Sequence, residues 1–153
     1  MATVRIQVED FDAGAEVALL CAGRHDIGAV VTFAGLCRDE GGQLRALELE
    51  HYPGMAEAEI RRVVAEAESR WPLLGVTAIH RHGAIQPGEQ IVLVVAASAH
   101  RASAFAAADF LMDFLKSRAP FWKKERLLDG TSGGWVDAKE SDGAALERWN
   151  EKP

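Results

Sequence analysis

The chain has 153 residues and 48% hydrophobic content, which suffices for one domain with a buried core and is too short for two domains of ordinary size. A formal net charge of −6 argues against general binding to nucleic acid or to anionic membranes. The two cysteines, Cys21 and Cys37, fit neither a disulfide framework nor a zinc site. With no leader and no apolar run of membrane length, we expect a single soluble domain spanning 1–153 in the cytoplasm.

The first quarter of the chain predicts two strands with a short helix between them. Apolar and polar residues alternate over 4–8, which is typical of a strand, and Asp12 is placed to cap an alanine-rich helix that ends near Gly23. The following run, 28–37, is apolar and rich in β-branched residues. We expect it to form a buried strand that brings Arg38 to its exposed end.

The middle of the chain predicts three more strands and one amphipathic helix. Alternation over 47–51 indicates a strand, and 55–71 repeats apolar residues at helical spacing with charges on the opposite face. Two further stretches, 75–82 and 89–97, are joined by a turn-rich connector and therefore predict a hairpin.

The stretch 98–125 predicts a long helix, a turn and a strand. Ser98 is placed to cap the helix, and Pro120 ends it because the residue before proline disfavours the α conformation. The chain then resumes as a strand from 121. Spacings of three and four put one set of helix residues on a single face: Phe105, Asp109, Met112 and Lys116.

The last segment predicts a turn over 129–134, a short strand at Trp135 and Val136, and a final helix over 141–149. Strands therefore come in neighbouring groups separated by two long helices. This order favours an α+β fold with a mixed or mostly antiparallel sheet over a doubly wound fold. The sequence contains no GxGxxG and no Walker loop, so it gives no support for nucleotide binding.

Four cations around the long helix stand out on the acidic background. His100 and Arg101 follow its predicted cap, where free N–H groups and the helix dipole already favour an anion. Lys116 near the helix end and Lys123 beyond it flank one turn. These residues predict a local site for a small anion or an acidic tail. The alternative is that Lys116 only complements the helix dipole and that Lys123 is a solvated surface residue.

Two other groups of residues have a chemical and a structural interpretation. His80 and His82 lie on one strand face, which suits a metal ion, but no third ligand is near in sequence and a half-exposed strand explains them as well. Cys37 stands beside Arg38, which favours a reactive thiolate, yet it also ends an apolar strand. We favour the structural interpretation for both groups.

Seven segments carry a pattern that runs in order through most of the chain: GAVVTFAGLCRD at 28–39, LELEHYPGM at 47–55, RWPL at 70–73, HRHGAIQPGE at 80–89, SAHRASAF at 98–105, FLMDFLKSRAPFWKKE at 110–125 and GGWVDAKESD at 133–142. Together they resemble the catalytic, large subunit of molybdopterin synthase. The resemblance implies an α/β hammerhead-type fold and a homodimer. It also implies a heterotetramer in which each large subunit takes the C-terminal Gly-Gly tail of a small, ubiquitin-like sulfur carrier.

The same resemblance implies a sulfur transfer in molybdenum cofactor biosynthesis. Cyclic pyranopterin monophosphate would become molybdopterin, with its two dithiolene sulfurs supplied by thiocarboxylates on successive carriers. Lys116 and Lys123 match the two functional lysines of the family and would act where the carrier's terminal carbonyl meets the substrate. The enzyme would need neither a metal nor a cofactor of its own, because a separate activating enzyme has already stored the energy in the thiocarboxylate.

Other matched positions would bind substrate rather than take part in the chemistry. By resemblance they are Arg38, His100 and Arg101 in an anion pocket, Phe33 and Met112 as pocket walls, Lys124 and Glu125 along the substrate strand, and Lys139. Lys139 stands where relatives often have an arginine that reaches the partner protomer's site. A lysine keeps the positive charge but cannot form the two parallel hydrogen bonds of a guanidinium. Leu36 and Cys37 also depart from the family pattern, so no polar side chain is expected at position 36.

Two alternatives to this function come from other classes of protein. One is a non-catalytic module that docks a ubiquitin-like C-terminal tail and passes it to another protein. The other is a lyase that forms a Schiff base through a desolvated lysine.

Overall fold

The structure is a computed structural model that describes residues 2–136 and the backbone of 140–150, with side chains from 144 onward in that last segment. In the first half the elements are β1 (Ala2–Gln7), α1 (Ala13–Cys21), β2 (Ala29–Leu36), β3 (Leu44–His51), α2 (Met55–Arg70) and β4 (Leu73–Arg81). In the second half they are β5 (Gly83–Ile85), β6 (Gln90–Ser98), α3 (Arg101–Ser117), β7 (Phe121–Leu127), β8 (Ser132–Val136), α4 (Glu140–Glu147) and a 3-10 turn (Arg148–Asn150). None of the described helices is both long and apolar enough to cross a membrane.

The strands form two four-stranded sheets. The first sheet has the order β1-β4-β6-β2 and the second has the order β5-β3-β7-β8. The β1–β4 pair is parallel, and the other pairs in the described chain are antiparallel. The predicted hairpin is the antiparallel β4–β6 pair, while the connector between them adds β5 to the second sheet. The α+β class with a mixed, mostly antiparallel arrangement and two long helices is therefore confirmed.

The main core lies between the first sheet and the two long helices. Ile60 and Val63 of α2, Leu111 of α3 and Val94 of β6 are all nearly inaccessible to solvent and belong to one cluster. Burying each such side chain contributes about 1.5–3 kcal/mol relative to leaving it in water. The helices are thus held to the sheet by their apolar faces, as the helical spacing of these residues predicts.

The prediction of a buried strand at 28–37 is wrong. β2 lies at the end of the first sheet, and among the described strands it pairs with β6 alone, so no described strand covers its second edge. Phe33 is 40% exposed and Leu36 is 56% exposed. An apolar β-branched run fits an edge strand as well as a central one, and sheet order, which local sequence does not encode, decided between them.

The prediction of Ser98 as the helix cap is also wrong. Ser98 belongs to β6, where it pairs with Ala29 and Leu73, and its buried hydroxyl donates a hydrogen bond to the carbonyl of Pro72 at 2.8 Å. The helix begins at Arg101, after His100, whose side chain makes no capping hydrogen bond. Pairing on both sides of β6 extends the strand to Ser98 and outweighs the cap preference of a serine.

α3 ends before Pro120, as the sequence predicts, and the final helical segment runs to Asn150, close to the predicted end at 149. Arg118 donates its backbone N–H to the carbonyl of Phe114 at 2.8 Å, and β7 begins at Phe121, directly after Pro120. Beyond α4, Arg148 donates hydrogen bonds to Asp109 at 2.6 Å and to Asp113 at 2.7 Å. These hydrogen bonds attach the end of the described chain to α3.

Gly28, directly before β2, lies where the backbone passes very close to the backbone of Ala99. A Cβ at this position would lie 2.2 Å from the carbonyl oxygen of Ala99, whereas a Cβ at Gly14 in α1 would come no closer than 3.5 Å to a neighbour, the carboxylate of Asp12. We expect Gly28→Ala to lower the free energy of unfolding by about 1–3 kcal/mol, because the backbone must shift. Gly14→Ala should be neutral or stabilising by up to about 1 kcal/mol, because alanine favours a helix. Urea unfolding of both variants measures this, and equal effects would contradict it.

Candidate active site

Both predicted catalytic lysines line one cavity of about 110 Å³ between the end of α3, the start of β7 and the first sheet. Phe33 and Met112, predicted as pocket walls, line it with Lys116 and Lys123. The other lining residues are Gly35, Leu36, His80, Ile91, Val92, Leu115, Ala119 and Phe121. The structure thus brings four of the predicted site residues together in a mainly apolar cavity.

The lysines reach this cavity from two elements that meet at the Pro120 turn. Lys116 lies in the last turn of α3, where a cation interacts favourably with the helix dipole. Lys123 lies two residues after Phe121, the first residue of β7. Because side chains alternate along a strand, Lys123 and Phe121 share one face of β7. Lys124 points to the opposite face, with its ammonium 5.5 Å from the ring centroid of Trp135.

His80 is a cavity residue that the sequence interpretation missed. It is 7% exposed, and its ring stacks on Phe121 with centroids 3.7 Å apart and planes inclined by 17°. The prediction of a half-exposed strand is therefore wrong at this position, because β4 lies between β1 and β6 and β7 covers this face. Alternation along β4 puts His80 on the same face as Val76 and Ala78, both buried, and that apolar alternation is the signal that could have revealed it.

The environment of His80 fixes its charge and its tautomer. The pKa of His80 is lowered to about 4, chiefly by burial. The hydrogen bond to Arg81 opposes the shift, and the nearby Lys123, Lys116 and His51 add smaller contributions to it. The imidazole is therefore neutral near pH 7. Its Nδ1 lies 2.7 Å from the carbonyl oxygen of Arg81, and because a carbonyl can only accept, Nδ1 carries the proton.

Three other predicted residues lie elsewhere in the described chain. Arg38 is at the exposed end of β2, as predicted, where it forms an ion pair with Glu40 and is not part of the cavity lining. His100 and Arg101 are exposed at the N-terminal end of α3. At 1.5 Å per residue, the fifteen helical steps from Arg101 to Lys116 separate the two residues by about 22 Å along the helix axis. A single chain therefore does not bring this pair to the lysines.

The remaining predictions concern the second sheet and the C-terminal segment. Glu125 is half-buried on β7, where it pairs with Leu47 on one side and Gly134 on the other, outside the cavity lining. Lys139 lies outside the described residues.

Cys37 has a structural role. The thiol is 3% exposed and donates a weak hydrogen bond from Sγ to the carbonyl of Ile85 at 3.7 Å. Burial raises the pKa of Cys37, which opposes formation of the thiolate that a nucleophile needs. The preference for packing over a reactive thiol is therefore confirmed.

Comparison with known proteins decides the family. A family model described as "MoaE protein" matches residues 6–118. The chain belongs to the MoaE protein family. It is 71% identical over 147 residues to the molybdopterin synthase catalytic subunit of Mesorhizobium japonicum, covering 96% of this chain and 92% of the relative. The corresponding subunit of Brucella melitensis is 61% identical over 149 residues, covering 97% of this chain and 91% of the relative.

A solved structure of a family member has the same fold. The molybdopterin biosynthesis MoaE protein of Burkholderia ambifaria superimposes with a TM-score of 0.84 at 50% identity, covering 99% of this chain and 100% of that one. The resemblance seen in the sequence and the fold it implied are therefore confirmed. The comparisons also confirm the enzymatic function at the level of the family: catalytic subunit of molybdopterin synthase in molybdenum cofactor biosynthesis.

The buried, neutral His80 predicts a specific pH dependence of stability. Above its ordinary pKa of 6.5 the imidazole is neutral in the folded and the unfolded chain. As the pH falls from 6.5 towards about 4, the unfolded chain binds a proton that the folded chain does not, so the free energy of unfolding decreases. The full loss is about 3 kcal/mol. We expect urea unfolding at several pH values to show a gap between wild type and His80→Phe that narrows on acidification, and a constant gap would contradict this.

Proposed function

We propose that the chain converts cyclic pyranopterin monophosphate into molybdopterin, using two sulfurs delivered as thiocarboxylates by a small, ubiquitin-like carrier. The observation that carries this proposal is the convergence of Lys116 and Lys123 on one small apolar cavity. Membership of a family whose relatives are named catalytic subunits supports the existence of a second subunit.

The size of the cavity suits the end of the carrier tail. Its volume of about 110 Å³ is well below the roughly 300–1,000 Å³ of sites that enclose a drug-sized ligand. An extended tail ending in two glycines is narrow enough to enter, whereas a tricyclic pterin is not. The carrier's terminal carbon would then lie between the two lysines, which is where the resemblance places the sulfur transfer.

A neighbouring groove is large enough for the pterin. An open groove of about 500 Å³ runs along β2 and α3 and shares Phe33 and Met112 with the cavity. Its other lining residues are Val31, Thr32, Phe105, Ala106, Ala108 and Asp109. A substrate lying in this groove would present its reacting carbons at the mouth of the cavity, next to the carrier's thiocarboxylate.

The lysines can supply the charge that the transfer requires. Attack of the thiocarboxylate sulfur on the pterin side chain, and later hydrolysis of the acyl link, both develop negative charge on oxygen. Two ammonium groups on apolar walls stabilise such oxyanions more strongly than they would in water, because the local dielectric constant is low. A lysine can also transfer a proton when the cyclic phosphate opens.

The anion-binding residues fit this site only if two chains combine. Arg101 lies about 22 Å along α3 from Lys116, and His100 directly precedes the helix, so both are too far away to hold a phosphate beside Lys116 in one chain. Phe105, which is 62% exposed, and Phe33 line the open groove next to the edge of β2 that pairs with no strand in the described part of the chain. We therefore propose a homodimer in which one protomer supplies the anion-binding pair and Lys139 to its partner's groove, with Arg38 at its rim. Two carriers would complete a heterotetramer, in which Lys124 and Glu125 extend the binding strand.

Replacing either cavity lysine tests the proposed chemistry. Lys116→Ala and Lys123→Ala should each lower product formation by about 100-fold or more, because loss of one oxyanion-stabilising donor costs this much. Dithiolene product is followed by oxidation to its fluorescent pterin derivative, with thiocarboxylated carrier and cyclic pyranopterin monophosphate as substrates. Arg61→Ala is the matched control, since it removes a cation from the exposed face of α2, where Arg61 pairs with Glu57.

Full activity of both lysine variants would contradict the mechanism. Carrier binding by the wild-type protein without any product would instead favour the docking module. Trapping of a substrate carbonyl on either lysine by borohydride would favour the Schiff-base lyase.

Mixing two inactive variants tests the shared site. Arg101→Ala and Lys123→Ala, dissociated and reassociated together, should recover about a quarter of wild-type activity. Half of the random dimers would be mixed, and one of the two sites in each mixed dimer would carry neither substitution. Reassociated single variants are the controls. Absence of recovery in a mixture shown to contain mixed dimers would place both residues in the same chain's site.

A further inference from the structure

The cavity contains one side chain whose chemistry the two lysines do not explain. Among its lining residues, His80, Lys116 and Lys123 have polar side chains. The two ammonium groups can only donate hydrogen bonds, whereas a neutral imidazole has one nitrogen that accepts. His80 is therefore the single side-chain acceptor in the lining of a cavity whose other polar side chains are cations.

The tautomer of His80 leaves Nε2 as that acceptor. Its Nδ1–H is committed to the carbonyl of Arg81 at 2.7 Å, so the lone pair of the neutral ring is on Nε2. No buried side-chain nitrogen or oxygen in the described part of the chain is without a hydrogen-bond partner. Nε2 is therefore either accessible to solvent or already hydrogen-bonded, and His80 lines the cavity.

The ring is held in a fixed orientation relative to β7. Phe121 covers one face of the imidazole at a centroid distance of 3.7 Å, and the ring of His51 lies 5.9 Å from Phe121. Lys123 follows Phe121 on the same strand face at a backbone distance of about 7 Å, which a lysine side chain spans. Of the two cavity lysines, Lys123 has the larger electrostatic effect on His80.

We propose that His80 is a positioning residue for sulfur transfer, whose Nε2 accepts a hydrogen bond from the ammonium of Lys123 and orients it towards the reacting carbonyl. A carboxylate in this position would also hold the ammonium, but it would cancel the positive charge and repel an anionic substrate. A neutral imidazole orients the lysine and leaves its charge available. This inference rests on the proposed role of the lysines.

The wild-type protein provides the first test. With ¹⁵N-labelled histidine, the Nε2 of His80 should have the chemical shift of an unprotonated ring nitrogen throughout pH 6–9, and Nδ1 that of a protonated one. With ¹⁵N-labelled lysine, the Nζ of Lys123 should show a coupling or a correlation to Nε2. A protonated Nε2 would overturn the proposal without any need for a variant to fold.

Activity of three histidine variants provides the second test. His80→Phe keeps an aromatic ring on Phe121 and removes the acceptor, so we expect product formation to fall roughly tenfold or more with carrier affinity unchanged. His80→Gln restores an acceptor and should recover activity to within about threefold of wild type. His82→Phe is the matched control, because His82 contacts His51 outside the cavity lining and its loss should leave the rate unchanged.

A double variant separates positioning from packing. If His80 acts through Lys123, the rate of His80→Phe/Lys123→Ala should equal that of Lys123→Ala alone, because the interaction has already been lost. If the rate losses of the two single variants multiply in the double variant, or if His80→Phe is fully active, the positioning role of His80 is wrong and the lysine mechanism is unaffected. Full activity of Lys123→Ala would instead remove the proposed function on which the inference rests.

Discussion

The stacking of His80 on Phe121 is the contact on which the geometry of the cavity depends. It joins β4 of the first sheet to β7 of the second, with the rings 3.7 Å apart. β7 carries Lys123 on the same face as Phe121, and the Pro120 turn ties the start of β7 to the end of α3, where Lys116 lies. One aromatic contact and one turn therefore link the elements that carry Lys116 and Lys123. The same contact covers one face of the imidazole, and burial of the ring lowers its pKa so that it is neutral near pH 7.

The length of α3 is the second constraint on function. A rigid helix of 17 residues holds its two ends apart, so the predicted anion-binding pair at its start and the lysine at its end cannot meet within one chain. This geometry gives a physical reason for the homodimer proposed above. In that dimer one protomer would hold the phosphate while sulfur transfer takes place in the cavity of the other.

Much of the fold follows from local sequence, and the errors have identifiable causes. The alternation in β1, the cap at Asp12 and the break at Pro120 all predicted elements that the structure contains, since each rests on interactions within a few residues. Ser98 and β2 were predicted wrongly because sheet pairing decided their environment. Sheet order depends on contacts between distant segments, which a single sequence does not reveal.

The site could be predicted only in part. Lys116, Lys123 and Met112 were singled out by spacing and charge, and the resemblance added Phe33 and the predicted role of each of the four. The structure brings all four to one cavity. His80 was missed because a histidine on a strand has no sequence signal for burial beyond its apolar neighbours. The separation of His100 and Arg101 from the lysines became visible only with the measured length of α3.

In the proposed mechanism the carrier's terminal carbonyl lies between the two cavity lysines. Solid-state NMR of the complex, with ¹³C at the last carbonyl of the carrier and ¹⁵N in the lysine side chains, measures that distance directly. We predict a carbon-to-nitrogen distance of about 3–4 Å for Lys116 or Lys123, as a hydrogen bond to the carbonyl oxygen requires. If no lysine nitrogen lies within about 8 Å of this carbon in a saturated complex, the proposed mechanism is wrong, because a hydrogen bond does not form over that distance.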